Sequence, residues 1–163
     1  MPEKPTAAVV TVSDSCARGE RIDQSGPAVV EVLTNHGFKV IARETVPDDQ
    51  AVIEKTLRSL ASSVRLVVTT GGTGISPRDN TPEATRVVCD RLLDGIGERM
   101  RAEGTKKTLF AVLSRALCGV HGSSVLLNLP GSPKGAVESL AAVIEILPHA
   151  LQLLDGDTSH GSQ

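Results

Sequence analysis

A short β-branched run, Leu66-Val67-Val68, continues through Thr69-Thr70 and stops at Gly71-Gly72-Thr73-Gly74. A buried strand that runs into three glycines in four positions reads as backbone brought close to a ligand or to another part of the chain. Without side chains there, several N–H groups can face one concavity, the arrangement that holds phosphate oxygens. Thr73, Ser76 and Thr81 add hydroxyl donors, and Arg78-Asp79 puts a cation and a carboxylate into the same loop. Thr81-Pro82-Glu83 then opens a helix, with Thr81 the expected N-cap, Pro82 at the first helical position and an acid in the positive first turn. A tight turn would account for the glycines but not for the ionic pair. No Gly-Lys-Ser/Thr closes the loop as in a P-loop, and no G-x-G-x-x-G is present, so the pattern predicts an unusual phosphate loop.

Strand and helix signals alternate on both sides of this loop. Ala7 to Val12 is an apolar strand that ends in Ser13-Asp14-Ser15, and from Pro27 the spacing Val29, Val30, Leu33 is helical until Asn35-His36-Gly37. Phe38 to Val46 returns as a strand closed by Pro47-Asp48-Asp49. Asp48 is a good N-cap for a helix carrying Val52, Ile53, Leu57 and Leu60. Helices are expected over Pro82 to Leu93 and Ile96 to Ala102, strands over Thr108 to Leu113 and Val125 to Leu129, and a long final helix over Ala136 to Leu154 that Pro148 can kink. Such alternation predicts an α/β fold: a three-layer sandwich with a central, mostly parallel β-sheet. In these sheets ligands bind outside the carboxyl ends of the strands. The loops there are Ser13 to Ser15, Pro47 to Asp49, Gly71 to Asp79 and Pro130 to Gly135, and each is polar.

Length and charge narrow the function. At 163 residues the chain has room for one well-packed domain, expected over 1–155, with a Gly/Ser-rich tail over 156–163 expected to be disordered. A net charge of −2, with no Trp or Tyr, gives neither the field nor the stacking platforms that nucleic acid binding requires. Cys16, Cys89 and Cys118 are odd in number and form no C-x-x-C pair, which argues against a disulfide framework or zinc site and for a reducing compartment. The polar N-terminus and the lack of a long apolar run predict no membrane span and a cytoplasmic location. His36, His121 and His149 read as solvated or structural, and no Ser/His/Asp triad is evident.

The segment Thr69-Thr70-Gly71-Gly72-Thr73-Gly74, with Pro77-Arg78-Asp79-x-Thr81-Pro82-Glu83, Leu113-Ser114-Arg115 and Asn128-Leu129-Pro130-Gly131-Ser132-Pro133, resembles the molybdopterin adenylyltransferase family of MogA, MoaB and the gephyrin G domain. Val12-Ser13-Asp14 and Val46-Pro47-Asp48-Asp49 also match, so the similarity spans nearly the whole chain. The resemblance implies transfer of AMP from Mg-ATP to the terminal phosphate of molybdopterin, with release of pyrophosphate. It implies a homo-oligomer, a trimer in most members with a hexamer as the alternative, and leaves room for a partner that inserts molybdenum. The apolar final helix is the surface expected to self-associate.

The family's catalytic, Mg2+-holding acids fall on Asp48 and Asp79. Its nucleotide contacts fall on Thr70, Gly71, Gly72, Thr73, Gly74 and Ser76. Its molybdopterin contacts fall on Ser13, Asp14, Ser114, Arg115, Asn128, Pro130, Gly131, Ser132 and Lys134. The acceptor phosphate is already anionic, so Mg2+, backbone N–H groups and Lys134 or Arg78 are expected to act by neutralising charge, with the two acids holding metal rather than a proton. Longer bacterial members carry an insertion ahead of the last helix, whereas this chain runs directly on from Lys134-Gly135, like the compact members. Two rival classes are a non-catalytic molybdopterin-binding protein with the same fold, and an enzyme acting on nicotinamide nucleotides with an added amidohydrolase domain.

Overall fold

The computed structural model describes residues 3–157; the expected tail lies outside the described residues from 158 onward. Four parallel strands, β1 (Thr6–Val12), β2 (Lys39–Val46), β3 (Leu66–Thr70) and β6 (Ser124–Leu129), are extended at one side by β5 (Cys118–His121) and β4 (Arg91–Leu92). The order across the sheet is β2-β1-β3-β6-β5-β4, and the last two ladders are antiparallel. The expected layers are present. On β1, Ala7 and Val9 point to one core, and Ala8, Val10 and Val12 to the other. After the single turn α1 (Asp14–Ala17), the first core takes Val29 and Leu33 from α2 (Ser25–Asn35), Met100 from α5 (Asp94–Thr105), Leu140 from α6 (Pro133–Val143) and Leu147 from α7 (Leu147–Leu154). The second takes Ile53 and Leu57 from α3 (Gln50–Ala61) and Ala84 and Val88 from α4 (Thr81–Val88). Each fully buried Leu or Ile in these layers contributes about 1.5–3 kcal/mol.

Several expected elements differ. Thr108 to Leu113 is no strand. Thr108 caps a 3-10 helix over Leu109–Leu113 by accepting from the Phe110 amide, and Leu109 and Phe110 are each 77% exposed. The apolar run resembles a strand, but it has no ladder partner there. The helix expected to reach Leu93 ends at Val88, because the chain turns at Cys89 to pair β4 with β5. The final helix is two helices bent by 58°, with Pro148 in the first turn of α7, where a missing N–H costs nothing. Its apolar face, including Leu140, Val143, Leu147 and Leu151, is buried on the chain's own sheet and is not a free association surface.

Burial pushes the Cys89 thiol up to about 11 and the Cys118 thiol up to about 12, so both stay protonated and serve as small apolar groups. Among the described residues no single helix is long and apolar enough to cross a membrane. At the sheet edge where the parallel strands begin, the Arg65 amide donates to Thr6 O, and its guanidinium reaches Ser123 O, Leu151 O and Asp155.

Candidate active site

The four parallel strands end at the same edge, and β2 and β3 lie on opposite sides of β1. The strand order therefore reverses between β1 and β3, where a crevice opens beyond their carboxyl ends. Ser13 follows β1 and Gly71 follows β3. The two strand ends are so close that a Cβ on Gly71, which has φ of +105°, would collide with the Val12 carbonyl oxygen. Gly72, at φ of +70°, brings its backbone beside Asp48, whose Oδ1 would lie 3.2 Å from a Cβ there. Only glycine meets both demands.

The loop's N–H groups are not all available to a ligand. Gly71 N donates to Leu129 O at 3.0 Å, and Ser76 N donates to Asp79 Oδ2 at 3.0 Å. Thr81 is not the N-cap of α4; Asn80 occupies that position without a side-chain cap bond. Thr81 instead locks the glycines, its hydroxyl donating to Gly71 O at 2.9 Å and its amide to Gly72 O at 3.1 Å.

Asp48 is likewise not the cap expected for α3. Asp49 takes that role by accepting from Val52 N, leaving the Asp48 carboxylate to the crevice. There Asp48 Oδ2 accepts from Asp14 N at 2.9 Å while Asp14 Oδ1 accepts from Asp48 N at 2.9 Å. Arg78 grips Asp14 with Nε at 3.0 Å and an NH2 donor at 2.9 Å. Its guanidinium is thus paired with Asp14 at the exposed rim of the crevice. These contacts set the protonation. The Asp48 amide, then Arg78, hold the Asp14 carboxyl below the ordinary aspartate value. Burial, with the nearby charges of Asp14 and Asp79, pushes Asp48 above it, against the Asp14 amide bond.

Two cavities meet at this loop. One, of about 320 Å3, is lined by Ser13, Asp48, Thr70, Gly71, Gly72 and Asp79, and reaches Asp23 and Gln24 before α2. The other, of about 390 Å3, is lined by Thr73, Gly74, Phe110, Ser114, Pro130 and Ser139, with Arg101 and Lys107 at its wall. Gly131 and Ser132 line both. The structure thus brings most expected site residues together but divides them differently, with Ser13 beside Gly71 and Ser114 beside Gly74.

Five of the residues stand apart from both cavities, Asp14 among them, tied to Asp48 and Arg78. Lys134 is exposed and lines neither cavity, although Pro133 and Gly135 do. Ser76 is at the exposed loop tip. Arg115 lies behind the loop, bonded to its carbonyls. Asn128 is fully buried; its Nδ2 donates to Thr69 and Thr85 hydroxyls at 3.0 and 2.9 Å, and its Oδ1 accepts from Leu117 N. Losing that carboxamide would leave buried partners unpaired, a cost of about 1–3 kcal/mol. The sequence reading missed Asp23 and Gln24, whose position in a polar loop before a helix was the available signal, and Arg101 and Lys107, which no local pattern marks.

A fold with its charged crevice at the strand switch, beside a larger apolar cavity, is that of a nucleotide- or cofactor-handling α/β protein. More specifically, the chain belongs to the molybdopterin-binding family: the family model described as "Probable molybdopterin binding domain" matches residues 8–149. It is 40% identical over 153 residues to the molybdopterin adenylyltransferase of Helicobacter pylori strain J99, covering 91% of this chain and 87% of that one. It is 38% identical to the Drosophila melanogaster molybdenum cofactor synthesis protein cinnamon, covering 96% of this chain but only 27% of that longer protein. The crystal structure of the molybdopterin biosynthesis enzyme MoaB from Thermus thermophilus superposes with a TM-score of 0.88 at 51% identity, covering 93% of this chain and 97% of that one.

Proposed function

We propose that this chain is a molybdopterin adenylyltransferase of molybdenum cofactor biosynthesis, taking ATP and molybdopterin as substrates. The observation that carries the reading is the convergence of Asp48 and Asp79 on one cavity wall with the Gly71-Gly72 backbone, where the strand order reverses. The relatives named molybdopterin adenylyltransferase support the chemistry. The carboxylate cavity takes the triphosphate of ATP, and the apolar cavity takes the pterin ring. The pterin's terminal phosphate then reaches the shared Gly131-Ser132 rim, where Ser132 also caps α6.

In the reaction a terminal phosphate oxygen of molybdopterin attacks the α-phosphorus of ATP. The new O–P bond forms as the bond to the bridging oxygen breaks, and pyrophosphate leaves with that electron pair. No strong base is needed, since the attacking oxygen is already anionic. What the protein supplies is position and relief of anion repulsion.

Asp48 and Asp79 bring two carboxylates to the site, and among the described residues no group of three or more His, Cys, Asp or Glu makes a complete metal cage. That donor set fits Mg2+, which takes one or two protein carboxylates and completes its shell from phosphate oxygens and water. When bound, the ion neutralises phosphate charge. The reaction belongs to the cytoplasm.

Self-association as a trimer is also proposed, now resting on the exposed Leu109, Phe110 and Val112 rather than on the buried final helices. Light scattering checks it, and a monomer mass at micromolar concentration removes it. Pyrophosphate release from ATP with Mg2+ and molybdopterin tests the activity. Release that depends on both substrates is expected, whereas tight molybdopterin binding with no release would leave a non-catalytic binding protein.

A further inference from the structure

We infer that Arg115 is a positioning residue that holds Asp79 in place by clamping the root of the glycine-rich loop, and not a contact to molybdopterin. The clamp itself is read from geometry; its effect on turnover rests on the adenylyl-transfer reading.

The observations begin with the loop tip. Ile75, Ser76, Pro77 and Arg78 are all exposed, and the tip is closed on itself by Asp79 N donating to Ser76 O at 2.9 Å and Ser76 N donating to Asp79 Oδ2 at 3.0 Å. These bonds shape the turn but do not fix it to the domain. Arg115 does. Its Nε donates to Gly74 O at 2.8 Å and an NH2 hydrogen to Asp79 O at 2.8 Å, so one guanidinium spans both ends of the exposed tip. Its own amide donates to Thr73 O at 2.9 Å, and its remaining terminal nitrogen pairs with Glu83 in the first turn of α4.

The only other anchor described for the tip is the Arg78–Asp14 pair, where Arg78 is 65% exposed. That pair is open to solvent and to competition from an anionic ligand. The root is therefore the fixed point. A planar fork with donors at set angles can bridge two carbonyls and a carboxylate together, which a single lysine ammonium cannot. Gripped by its own carbonyl, the Asp79 backbone is held at the root of the loop, and its carboxylate turns back onto the Ser76 amide from that fixed point.

The test uses three variants and two readouts. In Arg115→Ala, hydrogen exchange of the ligand-free protein should quicken at the Ser76 and Asp79 amides while β3 and β6 stay protected. The kcat for pyrophosphate release should fall about 100-fold, the scale of a small misplacement of a reacting group, with the molybdopterin KM within about threefold of the parent. Added guanidinium ion should restore part of kcat. Arg115→Lys keeps the charge and should fold, yet should share the kcat defect. Glu83→Gln removes the ion pair alone and should turn over like the parent. A raised molybdopterin KM with kcat intact would identify a ligand contact and overturn the inference. Unchanged loop exchange in Arg115→Ala, or unchanged kcat in both arginine variants, would overturn it too. If the parent released no pyrophosphate, the proposed activity would fail, and the exchange measurement alone would still decide the clamp.

Discussion

The two cavities share one glycine-rich loop and differ in nearly everything else. On the Gly71-Gly72 side the walls are polar and carry Asp48 and Asp79; the Asp14 amide holds the Asp48 carboxylate, and the Thr81 hydroxyl holds the glycine backbone. On the Thr73-Gly74 side the wall is largely apolar, and the 3-10 helix that forms part of it is exposed. The difference shows how a single strand-to-helix connection can serve two ligands. One half is rigid where charge must be balanced, and the other opens onto a surface shaped for a ring system.

The sharpest way to break that division is to remove charge from the polar side without changing shape. Asp79→Asn keeps an acceptor for the Ser76 amide, so its thermal stability should match the parent. Its adenylyl transfer should drop about 100- to 1,000-fold, as when a transition-state electrostatic group is lost. A folded variant that releases pyrophosphate near the parent rate would remove Asp79 from the metal-nucleotide site.

Asp48→Asn should lose activity on a comparable scale, but its stability should change in the opposite direction. The raised folded-state pKa of Asp48 means that the native state binds its proton more tightly than the unfolded state. The parent therefore loses stability as pH rises from the ordinary aspartate range through the raised value. At lower pH the two proteins converge, and above that value the Asn variant should be the more stable. Denaturant midpoints across pH check the sign, and the parent's activity should decline on acidification through the same range.

On the apolar side, Ser139→Leu fills space and should raise the molybdopterin KM about tenfold while leaving ATP binding alone. Equal loss of both would show that the ligands are not divided between the cavities. The smallest effect is expected for Lys134→Ala. Its exposed ammonium lies outside both walls, so titration should show molybdopterin affinity lowered only about threefold, the worth of a solvated charge.

The strands that build this edge were legible because β1, β3 and β6 are nearly continuous apolar runs broken only by small polar residues, as expected of parallel strands buried on both faces. β4 and β5 were not, being two and four residues long and defined only by their partners. Asp48 and Asp79 were legible as acids in strand-end loops. Their fine roles were not: one position separates Asp48 at the crevice from Asp49 at the helix cap, and either fits a capping pattern. Asn128 misled for a related reason. A carboxamide at a strand end can face a ligand or tie β6 to α4, and only the packing shows that here it does the second.

The tie from Arg65 to Thr6, Leu151 and Asp155 gathers the two ends of the described chain at the edge where the strands begin, on the far side of the sheet from both cavities. The domain is thus a module that can be spliced. A polypeptide joined before β1 or after α7 would emerge behind the sheet and leave the mouths of the cavities uncovered. The cinnamon protein, in which a segment like this one occupies about a quarter of the length, shows the same unit carried within a larger chain.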